Sequence, residues 1–275
     1  MLHFYKVENV IIKIDLIRRA IERRIFPLIS RLKDITADWA VKPKLVQLRK
    51  SQFYILMPRR RILVLGVQSP RRPESLNIIF GIMKNSRHDI VFDSKEVDGI
   101  GKLANINILV ARHNIRNFDW ILMVDDDVEL PSDFIDSFIA LSEYADFKIS
   151  SPAHRYYSYW SHDVTHRQHG SLIRQTNFVE VGPITAFHQD TYESIFPLPD
   201  LKYGWGLDFV WPVIAKRNRW KIGIIDGVAL RHTNPIAITY NTNAAKEEAE
   251  TYMAKYGVKT GVDKTYTISA IKNIF

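Results

Sequence analysis

The stretch Trp120-Ile121-Leu122-Met123-Val124-Asp125-Asp126-Asp127-Val128-Glu129-Leu130 decides the expected fold. Its apolar half predicts a short buried strand, and Pro131 and Asp133 then indicate the start of a helix. Carboxylates at the carboxyl end of a buried strand lie in the crevice where open α/β sheets bind ligands. Three adjacent carboxylates repel one another unless a cation shares their space, and a divalent ion with oxygen ligands is the usual one. The alternative interpretation is a solvated acidic turn between strand and helix.

The flanking segments alternate between strand and helix patterns. The run that starts at Arg61 is continuously apolar, as expected of a strand that is buried on both faces. Strand and helix in alternation are typical of a parallel sheet with right-handed crossovers, in which the acidic stretch is the third strand. The predicted strands cover residues 62–67, 89–93, 120–124, 147–151, 178–187 and 222–226, and the predicted helices cover residues 73–86, 102–112, 133–144 and 244–256.

Composition excludes several classes of protein. The 275 residues suit one large domain, or one domain with an appendage, and 46% hydrophobic residues supply an ordinary globular core. Without cysteine the chain has no disulfide, zinc thiolate site or cysteine nucleophile, and a cytoplasmic location is the economical inference. No signal peptide is expected. A dinucleotide oxidoreductase and a P-loop NTPase both lose their main support, because neither glycine-rich phosphate motif occurs.

The net charge of +8 belongs to the N-terminal arm. Residues 1–61 hold 15 Lys and Arg against 5 Asp and Glu, whereas the remaining 214 residues hold 23 against 25. This distribution argues against a nucleic-acid partner for the main domain. We therefore divide the chain into a basic helical arm and linker at 1–60, a main domain at 61–257 and a tail at 258–275.

Within the arm, apolar residues recur at steps of three and four, which predicts an amphipathic helix. A basic amphipathic helix can lie on an anionic membrane, so residues 10–33 are a candidate for peripheral contact with the inner face of the membrane. The alternative is packing on the body of the protein or on another subunit. No apolar run is long enough to span a bilayer. We expect Pro27 to kink or divide the helix, and Pro43 and Pro58 to lie in the linker. The stripe consists of Val10, Ile14, Ile17, Ile21, Ile25, Leu28 and Leu32.

Beyond residue 151 polar and aromatic residues become dense. The histidines between 154 and 169 have no spacing that fits a zinc site, so we interpret the segment as a flexible loop that faces the substrate. Gly182-Pro183 interrupts the next strand where backbone could approach a ligand. An exposed Trp205 beside Asp208 predicts a platform for a sugar with a base next to it. The alternative role for Asp208 is to cap the following helix.

The order of these motifs resembles the GT-A glycosyltransferase superfamily. An Asp-x-Asp at a strand end, a glycine-containing loop, an acid that starts a helix and a late histidine follow one another. More narrowly, several short segments resemble a plant and bacterial glycosyltransferase-like family of unknown function. The four features are Asp125-Asp126-Asp127, Glu180-Val181-Gly182-Pro183, Gly206-Leu207-Asp208 and Leu230-Arg231-His232; the segments of the narrower resemblance are 118–121, 149–153, 178–180, 204–208 and 228–232.

The resemblance implies a Rossmann-like α/β fold with a mixed, mainly parallel sheet flanked by helices. It also implies a nucleotide-sugar donor, a carbohydrate or glycolipid acceptor, and Mn2+ or Mg2+ as cofactor. Bacterial polysaccharide or lipopolysaccharide synthesis is the expected pathway. In this reading Asp125 contacts the donor and, with Asp127 and His232, forms the metal site, while the role of Asp126 is less defined. Asp208 is the expected general base.

Further residues are expected to contact the two substrates. Gln68, Ser69, Asp93 and Lys102 are candidates for the donor, and Glu180 and Trp205 are candidates for the acceptor. Leu207 stands where the family commonly has a second acid, so a retaining outcome stays open beside the favoured inversion.

Two other functions also stay open. A sugar-nucleotidyltransferase should carry a glycine- and arginine-rich loop near the first strand, and residues 68–72 lack the glycine. A non-catalytic membrane-associated sugar-binding scaffold would need none of the acids.

Overall fold

A computed structural model describes residues 27–235, 241–259 and 264–274. The part of the predicted stripe from Val10 to Ile25 lies outside these residues. The described helices are α1 (Pro27–Lys50), α2 (Gln52–Leu56), α3 (Ser75–Lys84), α4 (Lys102–Ala111), α5 (Phe134–Tyr144), α6 (Tyr192–Ile195), α7 (Leu207–Asn218) and α8 (Thr242–Ala254). The described strands are β1 (Arg61–Gln68), β2 (Asp89–Glu96), β3 (Trp120–Asp125), β4 (Val128–Glu129), β5 (Phe147–His154), β6 (Ile173–Thr176), β7 (Ile184–His188), β8 (Lys221–His232) and β9 (Thr267–Ile271).

The strands form one mixed sheet in the order β2-β1-β3-β7-β5-β8-β6-β9, and β4 adds to the end of β8. β1 pairs in parallel with β2 and β3, and β5 pairs in parallel with β8. β7 and β6 run against their neighbours, so the other six strands of the main order share one direction. The predicted mixed, mainly parallel sheet flanked by helices is therefore confirmed.

The central strands are apolar along their whole length because both faces of the sheet are covered. Ile62 and Val64 of β1 pack into one core, and Leu63 and Leu65 pack into the other. All four side chains are fully buried, which explains why the run does not alternate with polar residues. Helices α1, α3 and α5 cover the first face, and α4, α7 and α8 cover the second.

The prediction that Pro43 lies in a linker is wrong. α1 is described from Pro27 and continues through Pro43 to Lys50. A proline inside a helix costs about 3 kcal/mol. Val41, Leu45 and Leu48 are buried in the first core, and each contributes about 1.5–3 kcal/mol. Their burial outweighs the cost of the proline and keeps the helix continuous.

Several predicted strand bounds also differ. The strand expected at 178–187 begins only at Ile184, after a cis Gly182–Pro183 bond. β8 continues past Asp226 to His232, because Gly227 is closely packed by Leu141 and Leu172 inside the first core. β9 lies within the predicted tail and pairs with β6. α1 packs on one face of the main sheet and β9 pairs with its edge. The domain limits at residues 60 and 257 stay predictions. None of the helices in the described ranges is long and apolar enough to cross a bilayer.

Candidate active site

The three adjacent acids lie where β3 leaves the sheet, as the sequence predicts. Asp125 ends β3, and its backbone N–H donates to the carbonyl of Pro183 at 2.8 Å. The chain then turns and pairs as β4 with the end of β8, which places Val128 opposite His232. The carbonyl of Asp127 accepts a bond from the backbone N–H of Thr233 at 2.9 Å. This pairing brings Asp127 to His232 from a distant part of the chain.

Asp127 and His232 form a hydrogen-bonded pair. His232 Nε2 lies 3.1 Å from Asp127 Oδ2, and the Arg72 guanidinium lies 3.7 Å from the same oxygen. Burial acts to raise the pKa of Asp127, but the bond from His232 and the positive charge of His232 and Arg72 hold it below its usual value. Burial conversely acts to lower the pKa of His232, and Asp127 raises it above its usual value. The contact therefore favours the charged form of both groups, the carboxylate of Asp127 and the imidazolium of His232.

Asp125 is paired with a lysine. Lys102 Nζ, at the first residue of α4, lies 2.5 Å from Asp125 Oδ1. Burial raises the pKa of Asp125, and the charge of Lys102 opposes that rise. Gly182 packs over this pair, since a Cβ there would lie 2.8 Å from Asp125 Oδ2 and 2.9 Å from Lys102 Nζ. The loop before β7 can approach the acids this closely only because residue 182 has no side chain.

Asp126 turns toward the end of β1. Its Oδ2 accepts the backbone N–H of Ser69 at 2.7 Å and lies 3.4 Å from Gln68 Nε2. Gln68 also donates to the carbonyl of Arg72 and accepts from the backbone N–H of Leu76 at 3.2 Å. Burial raises the pKa of Asp126. Gln68 and Asp126 therefore hold the loop that carries Arg72, and the predicted donor contacts Gln68 and Ser69 lie beside the acids.

Asp93 is not brought to this site. It lies on β2 and contacts Arg112 and His113, each at 2.9 Å, just beyond the end of α4. Lys102 is at the opposite end of that ten-residue helix. At a rise of 1.5 Å per residue the two ends are about 15 Å apart. The prediction that Asp93 contacts the donor is thus unsupported, because its carboxylate is occupied by Arg112 and His113.

Asp208 lies in the first turn of α7 without acting as its cap. Gly206 is the N-cap residue, in a left-handed conformation with φ of 89°, and no side chain caps the helix. Asp208 Oδ1 is buried and has no hydrogen-bond partner among the described residues, and Oδ2 lies 3.9 Å from His162 Nε2. Burial, with the negative charge of Glu180, raises the pKa of Asp208 to about 7. A carboxyl group poised near neutral pH can exchange a proton.

Glu180 is held in its charged form by its neighbours. Its Oε2 lies 2.8 Å from His154 Nε2, and its Oε1 accepts a hydrogen bond from the hydroxyl of Ser161. Burial acts to raise the pKa of Glu180, but the charge of His154 and these two bonds keep it below its usual value. Glu180 is also one source of the raised pKa of Asp208. The pKa values of Glu180 and Asp208 therefore shift in opposite directions, because the contacts with His154 and Ser161 stabilise the charged form of Glu180.

Trp205 and the loop around it are supported by α8. Trp205 is half-buried against the second core and is not the exposed platform that the sequence predicts. Glu248 of α8 accepts the backbone N–H groups of Lys202 and Tyr203 at 2.7 and 2.9 Å. Ala249 of the same helix packs against Gly206. α8 thus holds the loop that leads to Asp208, and it does not cover a sheet edge.

The residues predicted to contact the donor and those predicted to act on the acceptor interact with one another. The rings of His154 and His232 lie 6.2 Å apart, edge to face, and Glu180 acts electrostatically on both His232 and Asp208. Sequence reasoning missed Arg72, His154, Ser161 and His162. His154 and Ser161 contact Glu180 only in the folded chain, and their spacing in the sequence does not indicate that contact.

The residues present suit a divalent cation whose remaining coordination positions would be filled by oxygens of a bound phosphate. Within the described ranges no three His, Cys, Asp or Glu side chains are grouped as a closed metal centre. The carboxylate of Asp127 and the imidazole of His232 are nevertheless both ligand types for Mn2+. Two protein ligands and open positions suit an ion that is also bound by phosphate oxygens. Asp125 lies near enough to Asp127 for their charges to interact.

Comparisons with known proteins bear on the fold. No protein-family model matches the sequence, and no curated protein matches it either. TarS from S. aureus, residues 1–349, superposes with a TM-score of 0.51 at 9% identity, over 74% of this chain and 67% of that one.

Two further solved structures align less closely. The mannosyltransferase PcManGT from Pyrobaculum calidifontis, in complex with GDP-Man and Mn2+, gives a TM-score of 0.47 at 13% identity, over 84% of this chain and 74% of that one. The catalytic domain of Drosophila β1,4-galactosyltransferase 7, in complex with xylobiose, gives 0.45 at 14% identity, over 68% and 79%. The similarity to TarS extends to the fold, a mixed α/β sheet flanked by helices.

Proposed function

We propose that the protein is a metal-dependent glycosyltransferase that moves a sugar from a nucleotide-sugar donor to a hydroxyl group. The observation that carries the proposal is the convergence of Asp127 and His232 at 3.1 Å, on the carboxyl side of β3, near Asp208, whose buried Oδ1 has no hydrogen-bond partner among the described residues. A binding scaffold would have no reason to keep a buried carboxyl oxygen without a partner, since that arrangement costs free energy.

On the donor side, Asp127 and His232 would hold Mn2+ or Mg2+, and Asp125 would contact the ion or the donor sugar. When bound, the cation supplies Lewis-acid stabilisation of the departing diphosphate. Lys102 and Arg72 flank the acids at 2.5 and 3.7 Å and would bind diphosphate oxygens once these replace the carboxylate contacts. Ser69 and Gln68 lie beside them at the end of β1.

On the acceptor side, Asp208 would remove the proton from the attacking hydroxyl. A base with a pKa of about 7 is half-ionised at neutral pH, and a group in this range suits proton transfer. One such base supports a single displacement and therefore inversion at the anomeric carbon. Glu180, kept ionised by His154, would orient the acceptor or its loop, and the half-buried Trp205 would contact the sugar face.

The acceptor would be a carbohydrate or glycolipid in bacterial polysaccharide or lipopolysaccharide synthesis. Residues 10–33 would bring the enzyme to the cytoplasmic face of the membrane as a peripheral protein. The basic composition of residues 1–61 and the apolar stripe support this location.

The test is a screen of nucleotide-sugars for metal-dependent hydrolysis by the full chain. We expect one donor to be hydrolysed in Mn2+ or Mg2+, with chelation abolishing the reaction. Release of pyrophosphate from a nucleoside triphosphate and a sugar phosphate would instead identify a nucleotidyltransferase. Tight donor binding without turnover under any acceptor would favour the scaffold. Product stereochemistry, read by NMR at the anomeric carbon, decides between inversion and retention.

A further inference from the structure

α1 has two faces of different character. Its inner face is buried against the sheet and includes Asp34, Val41 and Leu48. Its outer face carries large apolar side chains at positions four, three, four and seven residues apart. At 100° per residue these positions form one stripe along the helix. The stripe consists of Leu28, Leu32, Ile35, Trp39 and Val46, which are 70, 53, 44, 72 and 42% exposed.

The charges around this stripe are of one sign. Arg31, Lys33, Lys42 and Lys50 are exposed on α1. The helix has two acids, Asp34 and Asp38, and Asp34 is buried, at 3% exposure. The side chain of Asp38 is 43% exposed, and it is neutralised by contacts with Arg155 at 2.5 Å and Arg167 at 2.7 Å. The outer face of α1 is thus apolar and cationic, and its one exposed acid is paired with two arginines.

The first half of α1 borders the candidate active site. Asp34 accepts the backbone N–H groups of Tyr156 and Tyr157, each at 2.9 Å. The ring of Tyr157 is flanked by the guanidinium groups of Arg31 at 4.5 Å and of Arg231 at 4.4 Å. Arg231 directly precedes His232 in β8. A surface that covers the outer face of α1 would therefore lie close to the mouth of the site.

We propose that the outer face of α1, from Leu28 to Val46, docks on the surface of an anionic lipid bilayer. Trp39 and the aliphatic side chains would enter the boundary between headgroups and acyl chains, where tryptophan is favoured. Each exposed Lys or Arg would add electrostatic attraction to an anionic surface. A second copy of the same face is a poorer partner, because it would bring like charges together.

This inference goes beyond the contact proposed for residues 10–33. It shares Leu28 and Leu32 with that contact and extends it to the exposed side chains of Ile35, Trp39 and Val46. It also does not depend on sugar transfer. Donor hydrolysis can be measured without lipid, so loss of docking and loss of catalysis are separate results.

The experiment is flotation of the full chain with vesicles of phosphatidylcholine alone or mixed with phosphatidylglycerol. We expect binding to the anionic vesicles only, and weaker binding as salt is raised, because salt screens surface charge. Ile35→Glu with Trp39→Glu, both outside residues 10–33, should reduce vesicle binding by at least about tenfold, or about 1.4 kcal/mol. Ile78→Glu, on α3, is the matched control, since Ile78 is also an exposed isoleucine, at 65%, and lies off the proposed face.

Circular dichroism and donor hydrolysis without vesicles should be unchanged in both variants, which shows that the fold is intact. Wild-type binding by Ile35→Glu with Trp39→Glu would overturn the proposal and move any docking to another part of the chain. Failure of the wild type to bind anionic vesicles, or equal binding to both kinds of vesicle, would also overturn it. A lipid-independent dimer that the double variant dissociates would assign this face to self-association instead.

Discussion

The acids on the two sides of the site have the same chemistry but different partners. On the donor side, Asp127 contacts His232 and Asp125 contacts Lys102, so each carboxylate meets a cationic group. On the acceptor side, Asp208 is buried beside the charged Glu180, and one of its oxygens has no partner among the described residues. We propose that the basic partners of Asp125 and Asp127 bind a diphosphate, which leaves the carboxylates to hold a cation. A carboxyl group with a raised pKa and one unbonded oxygen suits proton transfer, and the following predictions test whether this division is correct.

The largest effect is expected from Asp208→Asn. An amide cannot accept a proton from the attacking hydroxyl, so transfer should fall by about 10²- to 10⁴-fold. Binding of the donor and of metal should be unchanged, as measured by calorimetry with a non-hydrolysable donor. Asp89→Asn is the matched control, since Asp89 is an exposed acid on β2. Near-normal turnover in Asp208→Asn would remove this residue from the mechanism.

The same substitution should change how stability depends on pH. The folded chain holds the pKa of Asp208 near 7, above its ordinary 3.8, so ionisation of this group opposes folding. Asp208 should therefore contribute a loss of stability to the wild type between about pH 4 and pH 7, of up to about 4 kcal/mol at 1.36 kcal/mol per pKa unit. Asp208→Asn lacks this loss. The free energy of unfolding should therefore be similar in both proteins at pH 4, and higher in the variant above pH 7; equal curves across this range would contradict the raised pKa.

Asp127→Asn should weaken metal-dependent donor binding. The amide is a poorer ligand for a divalent ion and no longer balances the charge of His232. We expect the dissociation constant for the donor in Mn2+ to rise at least about tenfold, or 1.4 kcal/mol, by calorimetry. Donor binding that is as tight as in the wild type, with the same metal dependence, would show that Asp127 is not a ligand.

The smallest effect is expected from Glu180→Gln, which keeps the shape of the side chain and removes its charge. Without that charge the pKa of Asp208 falls, since Glu180 is one cause of its rise. The acidic limb of the pH–rate profile should shift to lower pH, with a limited change in the maximal rate. A limb that stays in place would mean that Glu180 does not set the pKa of the base.

The sequence was sufficient to predict the sheet and the contact between Asp127 and the distant His232. Asp127 and His232 could be paired because both follow predicted strands and stand in the motif order of a known superfamily. The contact between Glu180 and His154 could not be predicted, since it depends on how the loop after β5 folds back. Likewise Asp126 turns to the backbone of Ser69, and no pattern distinguishes it from its two neighbours.

Sequence reasoning also failed where packing overrides local preference. Pro43 indicates a helix end, but the burial of Val41, Leu45 and Leu48 maintains the helix on both sides of it. Asp93 ends its predicted strand as a donor contact should, yet Arg112 and His113 occupy it. In both cases the deciding contacts join elements that are separate in the chain.

The central claim is that Asp127 and His232 bind one cation together with a diphosphate. Thermal unfolding of the full chain with a panel of nucleoside diphosphates, each with and without Mn2+, tests it most directly. One diphosphate should raise the melting temperature of the wild type only when Mn2+ is present, because a ligand that binds the folded state stabilises it. His232→Ala should lose that metal-dependent rise. Equal stabilisation without Mn2+, or a rise that persists in His232→Ala, would contradict the claim.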